Sequence, residues 1–145
     1  IRFLFTANRN TSLQPIEKVA SGGEMSRLML SLKALVAAHA QLPTIIFDEI
    51  DTGVSGAIAD KMGEIITNLS GSLQVVNITH LPQVASKGDH HFLVYKEETS
   101  EGTLSRIRKL SSEARVAEIA KMLSGSAVTA AATEQARLLL GMEKL

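Results

Sequence analysis

The sequence predicts an α/β fold in which a largely parallel sheet is flanked by helices and followed by a β-hairpin and two terminal helices. Two apolar strand patterns, at residues 45–47 and 73–79, are separated by one amphipathic helical pattern. Strand, helix and strand in this order predict a right-handed parallel crossover. Hydrophobic residues make up 45% of the 145 residues, which is enough for the core of one domain. Aromatic residues make up only 3%, so that core must be aliphatic.

The first helix is predicted to begin at the segment Ser21-Gly22-Gly23-Glu24. A serine followed three residues later by a glutamate is a capping box. Apolar residues then recur at helical spacing up to about Ala40, namely Met25, Leu28, Met29, Leu32, Leu35 and Val36. The two glycines let another backbone approach closely and leave helix N–H groups open to an anion, so a bound phosphate is one interpretation and a simple cap is the other. Residues 1–6 are expected to form a strand, and residues 7–19 an irregular polar loop.

The central strand is predicted at Ile45-Ile46-Phe47, a continuous apolar run typical of a strand buried on both faces. Asp48 and Glu49 follow at once, at the carboxyl end of the strand, where α/β sheets bind their ligands. An apolar strand that ends in Asp-Glu is the pattern of a Walker B segment, whose acids serve Mg²⁺ and the attacking water. The alternative is that two solvated acids begin a turn, and these residues alone do not decide between the two.

The remaining elements follow from the same patterns. The second helix ends at Gly71 and carries one apolar face of Ile58, Met62, Ile65, Ile66 and Leu69. The next strand ends at His80, which the crossover predicts on the same edge as Asp48 and Glu49, although a lone histidine there is more often structural. The rest is predicted as a short helix over 81–86, a hairpin of 90–96 and 103–110, a helix over 112–123 that Ser112 could cap, and a last helix over about 128–140.

Charge and residue usage exclude several classes of protein. Fifteen basic and fifteen acidic residues cancel, so the composition does not support a DNA-binding surface across the whole domain. The chain has no cysteine, and the adjacent His90 and His91 face opposite sides of a strand, so both are interpreted as structural rather than metal ligands. No apolar run approaches the roughly 20 residues of a membrane span. Since the start is too short for a signal peptide and lacks an initiator Met, we expect a piece of a longer soluble, cytoplasmic protein.

Three stretches, taken together, resemble the motifs of an ABC-type ATPase head. Residues 21–24 resemble the signature motif, residues 45–51 the Walker B strand and residues 78–80 the switch histidine. The wider stretches 19–27, 47–56 and 79–85 are similar to the C-terminal part of the RecN family, the bacterial SMC-like proteins of DNA double-strand-break repair. This resemblance runs from about Phe3 to the end of the chain.

Two departures separate this chain from other relatives of the ABC class. SMC proteins usually follow Asp-Glu-x-Asp with Ala-Ala-Leu-Asp, and here Thr52-Gly53-Val54-Ser55-Gly56 stands instead. The difference fits RecN better than SMC proper and puts in doubt a D-loop aspartate role at Ser55. Glu24 stands where transporters usually have glutamine, which argues against an ABC transporter.

The resemblance implies that residues 1–145 form the C-terminal lobe of an ABC/SMC-type P-loop ATPase head, with ATP and Mg²⁺ as cofactors. It implies that Asp48 holds Mg²⁺ through water, that Glu49 polarises the attacking water, and that His80 contacts the γ-phosphate. Four residues are implied to face the ATP of a partner head, namely Ser21, Gly22, Gly23 and Glu24. Head homodimerisation is then ATP-dependent, because the nucleotide forms part of the interface.

The chain holds only half of the nucleotide machinery that this resemblance implies. It has no Gly-x-x-x-x-Gly-Lys-Ser/Thr loop and no sustained heptads, so the N-terminal Walker A lobe and the coiled coil are absent from it. We therefore expect an ATPase in the full-length protein and no activity in this fragment alone. Expected partners are the N-terminal lobe, a second head and DNA, with the recombinase RecA as a further candidate, in the cytoplasm at the nucleoid during the SOS response.

Three alternatives remain open at this stage. The first is the head lobe of another SMC or ABC-type ATPase, against which the wording of residues 51–56 argues. The second is a catalytically inert interaction module, against which the intact Asp48, Glu49 and His80 argue. The third is a nucleic-acid-binding domain that acts without nucleotide, which zero net charge and few aromatic residues weaken.

Overall fold

The computed structural model describes residues 3–6, 12–16, 22–100, 102–125 and 127–142, and the chain divides into two units, residues 1–79 and 80–145. The first unit contains β1 (Leu4–Phe5), β2 (Gln14–Pro15), α1 (Gly22–Ala40), β3 (Thr44–Asp48), α2 (Gly56–Ser70) and β4 (Gln74–Ile78). The second unit contains α3 (Pro82–Ala85), β5 (Phe92–Thr99), β6 (Gly102–Lys109), α4 (Ser112–Ser124) and α5 (Ala130–Leu139). None of the helices in the described ranges is long and apolar enough to span a bilayer.

The predicted strand–helix–strand unit is present in the first unit. Strands β3 and β4 pair in parallel, from Thr44 opposite Gln74 to Asp48 opposite Ile78, and α2 lies between them in sequence. The buried residues of α2 are Ala59, Met62, Gly63 and Ile66. The parallel sheet within the described ranges has these two strands, so it is a small part of the largely parallel sheet that the sequence predicts.

The two faces of this sheet differ in their burial. Phe47 is fully buried, whereas Ile46 is 61% exposed, and Val76 and Ile78 on the neighbouring strand are also exposed. Successive residues of a strand point to opposite faces, so one face is covered and the other is exposed. The prediction that the apolar run is buried on both faces is therefore wrong for the described residues. Parallel sheets are normally covered on both faces, whereas Ile46, Val76 and Ile78 on the second face are exposed in the described part of the chain.

The region expected to be an irregular loop contains a strand. Gln14 and Pro15 pair antiparallel with Phe5 and Leu4, and the Ile16 N–H donates to the Phe3 carbonyl at 3.2 Å. That expectation is wrong for these two residues, because the polar composition of a segment does not prevent its backbone from pairing with a neighbouring strand.

The second unit contains the predicted hairpin and the two terminal helices. Strands β5 and β6 pair antiparallel from Phe92 opposite Lys109 to Thr99 opposite Gly102. Helices α4 and α5 share a small aliphatic core made of Ile119, Ala120, Ala132 and Ala136. The cap of α4 is Ser111 rather than the expected Ser112, since the Ser111 hydroxyl oxygen accepts from the Ala114 N–H at 3.3 Å.

Candidate functional site

Two acidic residues stand exposed at the carboxyl end of β3. Asp48 is the last residue of the strand, and Glu49 begins the loop that follows. Glu49 has a φ of 45°, a left-handed conformation that non-glycine residues seldom adopt, and its N–H donates to the Ile78 carbonyl at 3.0 Å. The chain therefore turns sharply just after β3, and the start of the loop is fixed against the end of β4.

The loop after β3 lies directly against the amino end of α1. A Cβ atom added to the buried Gly23 would lie 2.5 Å from the carbonyl oxygen of Gly53, so no side chain fits at this position. Gly53 has a φ of +80°, which also favours glycine. The Ser26 hydroxyl donates to the Thr52 carbonyl at 2.9 Å. The second glycine of the Gly-Gly pair thus does what the sequence predicts for it, and the backbone that approaches it belongs to the same chain.

The first glycine of the pair has a different environment. Gly22 is exposed, and a Cβ atom built on it would have nothing within 4 Å. The first N–H groups of a helix have no partner within the helix, so this open backbone could receive an anion. Glu24 is half-buried in the first turn. The prediction for Ser21 lies outside the described residues.

Asp51 is a third acidic residue of this loop, and its surroundings are the opposite of those of Asp48 and Glu49. It is fully buried, and the Thr79 hydroxyl donates to its Oδ2 atom. Its Oδ1 atom is also buried and has no hydrogen-bond partner in the part of the chain that the structure describes. Sequence reasoning gave Asp51 no role of its own. The only signal was the spacing Asp-Glu-x-Asp, which does not say which acid is buried.

The remaining predicted site residue is His80, which is exposed and follows β4 by two positions. It is the first residue of the second unit, and the expectation that it shares an edge with Asp48 and Glu49 stays a prediction.

The described residues could hold a magnesium ion only together with the phosphates of a bound nucleotide. Among them there is no group of three or more His, Asp or Glu side chains that could hold a metal ion. Mg²⁺ usually keeps several waters and uses one or two carboxylates together with substrate phosphates. A single exposed carboxylate at Asp48 matches that pattern, whereas a permanent metal site would need more ligands.

Comparison with known proteins relates this chain to one group of DNA repair proteins. It is 42% identical over 140 residues to the DNA repair protein RecN of Vibrio cholerae and 43% identical over 140 residues to that of Bacillus subtilis, with 97% of this chain covered in both. The RecN of Rickettsia bellii is 44% identical over 139 residues. The chain spans about a quarter of the length of these curated relatives, 25%, 24% and 25% respectively. No protein-family model matches the chain.

Solved structures support the fold. A structure from work on ATP-driven dimerization and DNA-stimulated activation of SMC ATPases superposes with a TM-score of 0.62 over 81% of this chain and 70% of its own, at 20% identity. The Smc head domain of Pyrococcus yayanosii, with a coiled coil and joint, gives a TM-score of 0.63 over 74% of this chain and 20% of its own, at 25% identity. The chain therefore has the α/β fold of a lobe of an SMC-type ATPase head.

Proposed function

Because this chain is related over nearly its whole length to the C-terminal part of RecN, we propose that it is the C-terminal lobe of an SMC-like ATPase head that acts in DNA double-strand-break repair. One observation carries the proposal. Two exposed acids stand at the carboxyl end of β3, on a loop that is fixed against the glycine-rich end of α1. Exposed carboxylates at the end of a parallel strand, next to the N-terminus of a helix, suit a nucleotide with its metal ion.

The two acids have different roles in this proposal. Asp48 holds Mg²⁺ through a water molecule, and Glu49 accepts a proton from the attacking water. His80 contacts the γ-phosphate of the same ATP. When bound, the metal ion neutralises the charge that develops on the phosphates.

The amino end of α1 serves a second ATP, bound to a partner head. Ser21, Gly22, Gly23 and Glu24 form this contact, in which backbone N–H groups face the γ-phosphate. The exposure of Gly22 supports this role, because its backbone is accessible. Loss of the γ-phosphate removes the contact, so hydrolysis releases the partner head.

The first partner of this lobe is the N-terminal Walker A lobe of the same protein. The open face of the β3–β4 sheet supports this assignment, since exposed Ile46, Val76 and Ile78 form an apolar surface that a folded protein normally covers. Docking of that lobe also brings the phosphate-binding loop that this chain lacks. This fragment alone therefore has no ATPase activity.

The whole cycle controls how DNA ends are held or tethered. Head engagement with ATP and release after hydrolysis drive this control, and the recombinase RecA is a further candidate partner. The work takes place in the cytoplasm, at the nucleoid.

The test is the substitution Glu49→Gln in a full-length protein that contains this lobe. Because general-base catalysis contributes about a hundredfold or more, we expect turnover to fall by at least that factor. ATP-bound dimers should accumulate in the same variant, measured by light scattering. The matched control is Glu64→Gln, the same change at an exposed glutamate of α2, which should leave turnover and dimerisation unchanged.

Two outcomes would contradict the proposal in different ways. Normal turnover in Glu49→Gln would remove Glu49 as the base. Absence of both turnover and ATP-dependent dimers in the wild type would leave an inert interaction module as the function of the lobe.

A further inference from the structure

We propose that residues 51–54 form a rigid bridge inside the lobe, in which Asp51 and Thr79 are positioning residues that align Glu49 for catalysis. The inference rests on the proposed ATPase function. It adds two residues that do not touch the nucleotide. It also explains how the loop that carries Glu49 is held at a fixed distance from the amino end of α1.

One end of the bridge is attached to the end of β4. Asp51 is fully buried and accepts a hydrogen bond from the Thr79 hydroxyl through Oδ2. Burial of a carboxylate is unfavourable unless hydrogen-bond partners compensate, so the Thr79 hydroxyl is needed to stabilise Asp51 in this loop. Thr79 is the residue just before His80, and Asp51 lies two residues after Glu49. Within the first unit, the bond thus joins the loop that carries the proposed base to the residue that directly follows β4.

The other end of the bridge is attached to α1. The close approach of Gly53 to Gly23 admits no side chain, and the Ser26 hydroxyl holds the Thr52 carbonyl. Within the bridge, the Thr52 N–H donates to the Glu49 carbonyl at 3.2 Å and the Val54 N–H donates to the Asp51 carbonyl at 3.3 Å. Every residue from 51 to 54 therefore has a fixed contact.

The consequence concerns the strained conformation of Glu49. A residue with a φ of 45° keeps that conformation only where its surroundings impose it. On one side its N–H is bonded to the Ile78 carbonyl, and on the other the chain leads straight into the buried Asp51. When the Asp51–Thr79 bond is lost, the loop can relax, and the Glu49 carboxylate leaves the position that catalysis requires.

The experiment compares two substitutions of Thr79 in the full-length protein. Thr79→Val keeps the shape and removes the hydroxyl, whereas Thr79→Ser keeps the hydroxyl. We expect kcat of Thr79→Val to fall about tenfold while KM for ATP changes less than about threefold, since a misplaced base affects the transition state rather than ground-state binding. Thr79→Ser should recover most of kcat. The matched control is Thr67→Val, which removes a hydroxyl bonded to the Gly63 carbonyl within α2 and should leave kcat unchanged.

Two kinetic results would overturn the inference. One is a kcat of Thr79→Val within about twofold of the wild type, which would mean that the hydroxyl does not position the Glu49 carboxylate. The other is a kcat of Thr79→Ser as low as that of Thr79→Val, which would mean that packing at Thr79 matters and the hydroxyl does not.

Hydrogen exchange gives a readout that does not depend on ATPase activity. In the wild type, the Thr52 and Val54 amides should exchange at least about tenfold more slowly than free peptide amides. Exchange at the free-peptide rate would refute the bridge, even if Thr79→Val does not fold. Absence of turnover in the wild type would instead contradict the proposed ATPase function, and the exchange rates would still decide whether the bridge exists.

Discussion

Two loops of this molecule are fixed by opposite kinds of chemistry. The loop of residues 49–55 in the first unit packs closely against Gly23, which has no side chain, and is also held by the buried carboxylate of Asp51. The loop of residues 86–91 in the second unit is held by one long side chain, because the Arg115 guanidinium donates to the carbonyls of Ser86, Gly88 and Asp89 at 3.3, 2.6 and 3.3 Å.

The difference indicates how each loop responds to change. In the first loop, the backbone atoms of Gly23 and Gly53 are in direct contact, so no side-chain atom can be added at Gly23 without moving the backbone. In the second loop, one guanidinium donates hydrogen bonds to three carbonyls, so its removal breaks all three bonds at once. The contacts of the first loop restrict Glu49 to a narrow range of positions, which suits a residue proposed to take part in catalysis.

The largest effect on stability is expected from Gly23→Ala. The new methyl group would lie 2.5 Å from the Gly53 oxygen, a backbone atom that cannot move without shifting the loop. We expect a loss of about 2 to 3 kcal/mol in the free energy of unfolding, as for overpacking of a tight core. Urea denaturation of this chain measures it.

Gly22→Ala is the control for that substitution, because the same atom is added one residue earlier, where nothing lies within 4 Å. Alanine is favoured over glycine in helices, so stability should stay equal or rise by up to about 1 kcal/mol. Equal losses in both variants would mean that the close approach of Gly53 is not the cause.

A smaller effect is expected from Arg115→Ala in the second unit. The substitution removes the donor to three carbonyls, and we expect a loss of about 2 kcal/mol in the free energy of unfolding. Arg115→Lys should lie between the two, because an ammonium group cannot reproduce the planar fork of the guanidinium.

Arg108→Ala provides a contrast for Arg115→Ala. Arg108 is exposed on β6 and lies 5.5 Å from the centre of the Tyr95 ring, a contact that contributes about 0.5 to 1 kcal/mol at an exposed site. If Arg108→Ala destabilises the chain as much as Arg115→Ala, the three carbonyl contacts do not hold the second loop.

These loops also show how far a sequence can be interpreted. The parallel pair of strands and the hairpin could be predicted, because apolar runs and turn residues report local structure directly. The Gly-Gly pair predicted a close backbone contact, but it did not predict that the contacting backbone is Gly53 of the same chain. The apolar run of residues 45–47 predicted that Asp48 and Glu49 stand at the end of a strand, and the structure confirms that placement.

Other features had no local signal. The buried Asp51 accepts a hydrogen bond from Thr79, 28 positions away, and Arg115 donates to carbonyls 26 to 29 positions away. Periodicity describes neighbours along the chain, so contacts of this range are invisible to it. The exposed face of the β3–β4 sheet was missed for a related reason, since an apolar run predicts burial without saying what buries it.

The smallest of the expected effects concerns pH and the second loop. His91, at the end of this loop, is half-buried, and its Nδ1 has no hydrogen-bond partner in the described part of the chain. Burial lowers the pKa of His91, the positive charge of Arg115 lowers it further, and Glu118 acts in the opposite direction. The unfolded chain therefore takes up a proton at His91 at a higher pH than the folded chain does.

Stability should for this reason fall as the pH is lowered from about 7.5 to about 5.5, and should not depend on His91 above the ordinary histidine pKa of about 6.5. Urea unfolding of the wild type and of His91→Gln at both pH values tests this, because the difference between the two chains isolates one titration. The wild type should lose more stability than the variant on acidification. In Arg115→Ala the contribution of His91 should shrink, since one of the two causes of its lowered pKa is gone. Identical pH dependence in the wild type and His91→Gln would show that His91 is protonated equally in the folded and unfolded states.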